Sequence, residues 1–381
     1  MKNRIIIAFA VLFTLVSTSC HRQDLEDIYY TRAMLPVLID WETKAYMDIA
    51  NDPDGDLYSA SVWLFPTENS TYQGDPLEYK LSYALHDYIE VPVGEYDVLV
   101  FNKTVGDYSS NVGFRGTDSF KTFEYYVAND SRQSLFSKAE DDEESRGLDP
   151  DLLAAWSFDN DKKLVITADL VGEYEKVEEF RSRTKYKSTS SESTKVTADD
   201  FDGLKEELLQ LIDVVPERLT HSVTVTESIE NIHSIAAAQG TLKGVSNSLF
   251  LAEKRYNEES TSHIFDFTTK TVTDESGRNG DLSATFNIIA KYPDQNAAYS
   301  IETLFTLVDE YEDSLIYPTP PDSPFSFDVS EQVNSAEIDE YNHFDIIITD
   351  KIELPDISVG GGGGFDVSVD DWEDPVIIPI N

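Results

Sequence analysis

Thiol chemistry is almost missing from this chain: its 381 residues hold one cysteine, Cys20. No disulfide can form within the chain, so apolar packing and hydrogen bonds must hold any fold. A Cys-x-x-Cys redox or zinc motif is excluded as well. Positive charge is scarce too, with 29 Lys and Arg against 72 Asp and Glu and a formal net charge of −43. A chain this acidic repels nucleic acid and has no basic face to neutralise phosphates. Six histidines, at 21, 86, 221, 233, 263 and 343, never fall in i, i+4 spacing. Gly-x-Ser-x-Gly, His-Glu-x-x-His and phosphate-loop motifs do not occur. Among 72 acids no carboxylate pair stands out. The chain reads as a non-enzymatic protein that needs no cofactor and no metal.

Long apolar runs are also rare, and the one present is placed tellingly. Lys2 and Arg4 precede Ile5 to Val16, and Ser17-Thr18-Ser19 leads directly to Cys20. That is a basic region, a twelve-residue apolar region and small residues before a cut site, the pattern of a secretory signal. A spanning helix needs about 20 apolar residues, so this run is too short to stay in a membrane. The site resembles the lipobox of bacterial lipoproteins, with Ser17 standing where Leu is usual. The resemblance implies cleavage after Ser19 and a lipid-bearing thioether on Cys20, with palmitate among the acyl chains. The other reading is an ordinary secretory signal with an incidental cysteine. Loss of Lys2 and Arg4 with the leader takes the charge from −43 to −45. Anionic head groups would repel such a chain, so attachment must come from the acyl chains, at about 0.8 kcal/mol per buried methylene.

Past Cys20, His21 to Asp27 is an acidic, hydrophilic tether. Strand signals then recur between turn clusters. They include Leu35 to Trp41, Tyr58 to Phe65, Leu77 to Tyr83, a turn at Val91-Pro92-Val93-Gly94 feeding a strand to Asn102, Phe120 to Val127 and Leu164 to Leu170. Tyr58 to Phe65 is apolar in both phases, which predicts burial on both faces. Strands resume after Pro216 at Ser222 to Thr226, Ser246 to Leu251 behind Gly240-Thr241-Leu242-Lys243-Gly244, Leu282 to Ala290, Ile301 to Val308, Phe325 to Val329 and Phe344 to Ile348. Glu140 to Gly147 is a charged loop. The pattern predicts antiparallel sandwiches, and about 360 mature residues suit two domains.

Residues 172–212 differ in kind. Arg181, Arg183, Lys185 and Lys187 lie in a Ser/Thr-rich run, either an anion-binding cluster or a protease-sensitive loop. Thr197 and Asp200 form a capping box, with Phe201, Leu204, Leu208 and Leu211 on one helical face. Gly360 to Gly364 is a hinge of five glycines. Beyond it Phe365, Val367 and Val369 alternate with polar residues ahead of Trp372 and Val376 to Ile380. That segment reads either as a strand able to add to an open sheet edge or as a disordered acidic tail. Asp52, Asp54 and Asp56 around Gly55 resemble a calcium loop, yet position twelve, which needs a bidentate acid, is Trp63, so a turn is preferred. Trp63, Trp156, Tyr125 and Tyr126 are either core residues or platforms for sugars.

Four stretches together resemble the fimbrillin-like lipoproteins of Bacteroidales, close to the anchor and accessory subunits of type V pili. They are Leu38-Ile39-Asp40-Trp41 after the lipidated start, Asp54-Gly55 before Ser61 to Pro66, Gly240 to Gly244, and Lys351 to Pro355 before the Gly-rich tail with Asp371-Trp372. The resemblance implies an all-β fold of two tandem transthyretin-like Greek-key β-sandwich domains with a short helical insertion. The corresponding division is a signal peptide (1–19), a tether (20–34), one sandwich (35–171), the insertion (172–212), a second sandwich (213–355) and the hinge and tail (356–381). It implies outer-membrane attachment through Cys20, an outward-facing protein, and pilin partners that associate by strand exchange. Phe365, Val367, Val369 and Trp372 are the expected partner-binding residues. The alternative is a carbohydrate-binding surface lipoprotein with no pilus role.

Overall fold

The structure, a computed structural model, describes residues 32–40, 60–81, 86–128, 146–147, 149–158, 162–172, 210–291, 296–308, 314–318, 323–357 and 378–379. The expected leader, the Asp52–Asp56 turn, the helix residues Phe201 to Leu208 and residues 358–377 of the tail lie outside them. In chain order the first half forms β1 (Arg32–Ile39), β2 (Ala60–Pro66), β3 (Leu77–Leu81), β4 (His86–Pro92), β5 (Gly94–Asn102), β6 (Val112–Arg115) and β7 (Glu124–Val127). It continues with β8 (Arg146–Gly147), β9 (Ala154–Ser157), β10 (Leu164–Ile166), the helical turn α1 (Ala168–Val171), β11 (Ile212–Val214) and β12 (Glu217–Arg218). The second half forms β13 (His221–Glu230), β14 (Ile235–Ser246), β15 (Ser248–Phe250), β16 (Arg255–Tyr256), β17 (Ser260–Asp266), β18 (Thr269–Val272) and β19 (Asn279–Ile288). Then come β20 (Ser300–Val308), β21 (Ser314–Tyr317), β22 (Phe325–Asp328), the helix α2 (Ser330–Ser335), β23 (His343–Glu353) and β24 (Ile378–Pro379). The fold is all-β, as the strand spacing predicts.

Two sheets make the first sandwich. One has the order β11–β1–β4, the other β12–β9–β5–β2–β3 with β10 also on β5. Ala33 to Ile39 is buried without a break. That continuous apolar run suits a strand paired on both edges, antiparallel to β4 and parallel to β11. Val37, Ile89, Val91 and Ile212 of one sheet meet Val62, Leu64, Val98 and Leu164 of the other. The predicted second-domain start at 213 falls within a crossing, because β11 belongs to one sheet of this sandwich and β12 to the other.

The second sandwich pairs the sheet β23–β13–β19–β18–β24 with the sheet β21–β20–β14–β17–β8, and β22 also pairs with β20. Val223, Val225, Leu282 and Phe286 face Leu242, Phe265, Ile301 and Phe305. Phe265 stacks on Phe286 across the core at 4.3 Å and 11°. Gly240 makes room for that stack, since a Cβ there would sit 2.3 Å from the Phe265 ring. Gly244, with φ +92°, takes up the bulge between Lys243 and Val245. The segment from Gly240 to Gly244 is therefore the interior of one long strand.

A third, smaller sheet joins the halves. Its order is β16–β15–β7–β6, so each half supplies two strands. It covers the outer face of β2 and β5, where Phe65, Leu99 and Phe101 pack with Phe123, Tyr125, Leu249 and Leu251. Burial of β2 on both faces, read from its two apolar phases, is explained by this sheet. Two stretches differ from the strand reading. Phe120–Thr122 is a 3-10 turn that turns the buried Phe120 into the joint core, and the strand starts at Glu124. The strand at Leu164 ends at Ile166, and α1 carries Leu170 into the first core.

The joint has a polar centre at the buried Glu124 on β7. Arg115 donates to its carboxylate through Nε (2.5 Å) and Nη2 (2.8 Å), and Ser248 Oγ of the other half donates to it as well. Burial pushes this carboxyl up, but the Arg115 and Ser248 hydrogen bonds outweigh it and hold the group below its usual range. Main-chain bonds from Val127 to Asn247 and from Leu251 to Phe123, each 3.0 Å, flank it. Glu124→Ala leaves Ser248 without its acceptor and is expected to lower unfolding free energy by about 2–3 kcal/mol. Hydrogen exchange at the Val127 and Leu251 amides should rise with it. The exposed Glu253–Arg255 pair is the control: Glu253→Ala should leave both quantities unchanged.

Candidate functional site

Ser19, Cys20, Phe365, Val367, Val369 and Trp372 lie outside the described residues. Of the tail, Ile378 and Pro379 pair antiparallel with Lys270 and Thr269 of β18. Among the described residues no helix is long and apolar enough to cross a membrane, and no group of three or more His, Cys, Asp or Glu is placed to hold a metal.

The aromatic residues divide clearly. Tyr125 is fully buried and donates its hydroxyl to the Asp151 carbonyl at 2.9 Å. Trp63 stacks with Phe65 and meets Phe123 edge-on at 5.0 Å. Trp156 packs against the first core beside Phe158. Arg115 lies over the ring of Tyr126. Packing accounts for these side chains, and the structure brings none of them together as a sugar platform. The described histidines are likewise scattered. His233 meets Asp356 and His343 meets Asp345, both at 3.1 Å, and His263 is fully buried. His221 is driven down to about 4 by burial, with Lys291 and Arg218 adding to the effect, so it is neutral at pH 7.

One concavity stands out on the first half. A groove of about 660 Å³ runs between the β2–β3 connection and the turn before β7. Phe65, Pro66 and Phe120 form its apolar side. Glu68, Asp75, Glu95, Asp97 and Asp118 rim it together with Lys121 and Lys163. Lys163 pairs with Asp97, and Thr67 Oγ1 donates to Glu95 at 2.7 Å. Its size falls in the range of small-ligand sites. Sequence reading misses this groove because its walls come from five separate stretches, and its acids look like ordinary surface.

A second unread feature is Glu227, fully buried on the inward face of β13. Thr303 Oγ1 of the opposite sheet donates to its Oε1 at 2.6 Å, while Oε2 has no hydrogen-bond partner. Burial pushes this carboxyl up to about 7 against the opposing Thr303 bond. The signal was present in sequence, because Glu227 occupies the phase of Val223, Val225 and Ile229. A folded pKa above the unfolded one contributes stability that is complete below about pH 4.5 and lost as pH rises through about 7. Glu227→Gln mimics the protonated acid, so its stability advantage should grow by about 2–3 kcal/mol between pH 5 and pH 8. Denaturant unfolding of both proteins at the two pH values measures this, and a pH-independent difference would refute it.

Among curated proteins no relative matches. Solved structures do. A candidate adhesin from Bacteroides ovatus shares 16% identity at a TM-score of 0.51, over 88% of this chain and 97% of that one. At that identity the likeness is one of fold, and it agrees with the paired sandwiches. The fimbrial anchor protein Mfa2 from Porphyromonas gingivalis shares 13% identity over 83% of this chain and 90% of that one, at a TM-score of 0.38. A family model described as a domain of unknown function, DUF5119, matches residues 19–266. That span takes in the whole first sandwich, the joint sheet and the opening strands of the second, and the chain belongs to this family.

Proposed function

We propose that this chain is a non-enzymatic surface lipoprotein, tethered to the outer membrane through a diacylglyceryl thioether on Cys20, that serves as an anchor or accessory subunit in fimbrial assembly or adhesion. The observation that supports it most is the placement of β1. Arg32 lies twelve residues after Cys20, a tether of at most about 40 Å, and leads straight into the middle strand of its sheet. Tension on the lipid would load β1 along its length, in shear against the ladders to β4 and β11 together. A protein that holds a fibre to a membrane needs its tethered strand fastened in that way. The adhesin-like fold is consistent with the role.

Pilin subunits are the proposed partners, engaged by strand addition. The alternating residues Phe365, Val367 and Val369, followed by Trp372, would supply one such strand. The pairing of Ile378 and Pro379 with β18 supports a strand-forming tail. A second reading rests on the acid-rimmed groove, whose carboxylates could accept hydrogen bonds from sugar hydroxyls. Silence of the purified protein on arrays of host and dietary glycans would remove it.

Cys20→Ala is expected to move the protein from the membrane fraction to the soluble one. Mass spectrometry of native material should find Cys20 lipidated and N-terminal. An unmodified thiol or an intact leader would defeat the tether, and fibres that stay attached in cells without this protein would defeat the anchor role.

A further inference from the structure

The strand β23 is held unevenly along its length. Up to Ile348 it pairs in register with β13 on one edge. On its other edge Gln332 Oε1 accepts the Ile347 N–H at 2.9 Å, and Gln332 Nε2 donates to the Ile347 carbonyl at 3.0 Å. The register then breaks. Glu227 pairs with Ile348 and Ile229 with Ile352, so β23 takes four steps where β13 takes two. The extra residues, 349–351, are exposed. Beyond this bulge only Ile352 and Glu353 pair with β13, and the Leu354 N–H donates to the Glu230 carbonyl at 3.1 Å. Asn231 Nδ2 and Ser234 Oγ donate to the Leu354 and Pro355 carbonyls at 2.8 and 3.0 Å. Asp356 pairs with Arg278 and His233 at the surface, where such pairs add little. The hinge Gly360 to Gly364 begins three residues after Ile357.

The bulge lies beside the buried Glu227. Thr303 holds Oε1 from the opposite sheet, and Oε2 is left without a partner. Its row reads Ile348, Glu227, Leu282 and Lys270 across β23, β13, β19 and β18. Lys270, two strands away, donates to the Ile235 carbonyl at 3.4 Å. In the facing sheet the row reads Thr303, Gly240 and Phe265, and the buried His263 lies in the next row beside Leu242. His221 is six residues back, at the start of β13, and Asp350, Lys351 and Glu353 of β23 are exposed. No charged group compensates the carboxyl: burial raises it to about 7 against the Thr303 bond. Once ionised, Oε2 must reach water or stay bare in the core. The ladder from β13 to β19 runs unbroken from His221 to Glu230, whereas the ladder to β23 is broken beside Glu227.

We propose that Glu227 and the adjacent bulge form a proton-operated latch on residues 352–357. With the acid protonated, this segment is closed on β13 and on the turn before β14. Loss of the proton opens it at the bulge and lets water reach Oε2. Opening stays on that side of the bulge because Gln332 and β13 clasp the strand from both edges on the other. It adds six residues, at most about 20 Å, to the chain that leads into the hinge. That gain in reach serves the proposed pairing strand, whereas the latch itself stands without the pilin reading.

Hydrogen exchange of the mature chain at pH 5.5 and pH 8.5, corrected for the intrinsic rate, tests the latch. A carboxyl raised in the closed state returns to its ordinary range once solvated, so opening becomes easier as pH rises. Protection at the Leu354 amide should fall by about ten-fold or more between the two pH values. Protection at Ile347, and at Ser222, whose N–H donates to the Asn342 carbonyl, should hold steady. Glu227→Gln should keep Leu354 protected at both pH values. Thr303→Val removes a bond that favours the ionised form, so the fall should move to higher pH. An equal fall at Leu354, Ile347 and Ser222 would mean that the whole sandwich loosens, and would overturn the latch. So would a fall that persists in Glu227→Gln, a fall that Thr303→Val leaves in place, or no fall in the native chain.

Discussion

The architecture depends on β2 and β5 being buried on both faces. One face of these strands meets β1 and β4 in the first core. The other carries Phe65, Leu99 and Phe101, too much apolar surface to leave in water at about 25 cal/mol per Å². The small joint sheet covers it, and half of that sheet comes from beyond residue 247. The first half therefore depends on the second for part of its cover. With no disulfide available to fasten the halves, an intermixed apolar core does so.

Polar groups at the joint follow the same economy. Glu124 gathers Arg115 from its own half and Ser248 from the other, so one buried carboxylate is satisfied from both sides. Glu227 is the contrasting case. It bridges the two sheets of the second sandwich through Thr303 alone and leaves an oxygen unpaired. Among the described acids only Glu124 and Glu227 are buried, and exposed carboxylates do little for the fold. These two matter because burial raises the consequences of pairing well or badly.

Much of the strand set was legible. β1, β2, β5, β19 and β20 are long, apolar or alternating, and their residues announce strands without help from context. The errors have local causes. Phe120 and Leu170 continued apparent strands, yet each side chain reaches its core from a helical turn. Gly240 looks like turn punctuation, but in β14 it answers the Phe265 ring of a neighbouring strand, 25 positions away. The acid-rimmed groove and the cap at Ile347 were illegible, since each is made by residues far apart in the chain.

By itself the sequence determined the class of fold, the exclusion of disulfides and the burial of β2 on both faces, because hydrophobic period and composition are local properties. It also singled out Cys20 as the residue whose placement the proposed tether depends on. Only the tertiary structure decided how strands were shared: that 212–218 completes the first sandwich, that β7 pairs with β15, and that Gln332 caps β23. Which strand finds which edge is settled by matching exposed main-chain groups and apolar faces over long loops, and no local pattern records that competition.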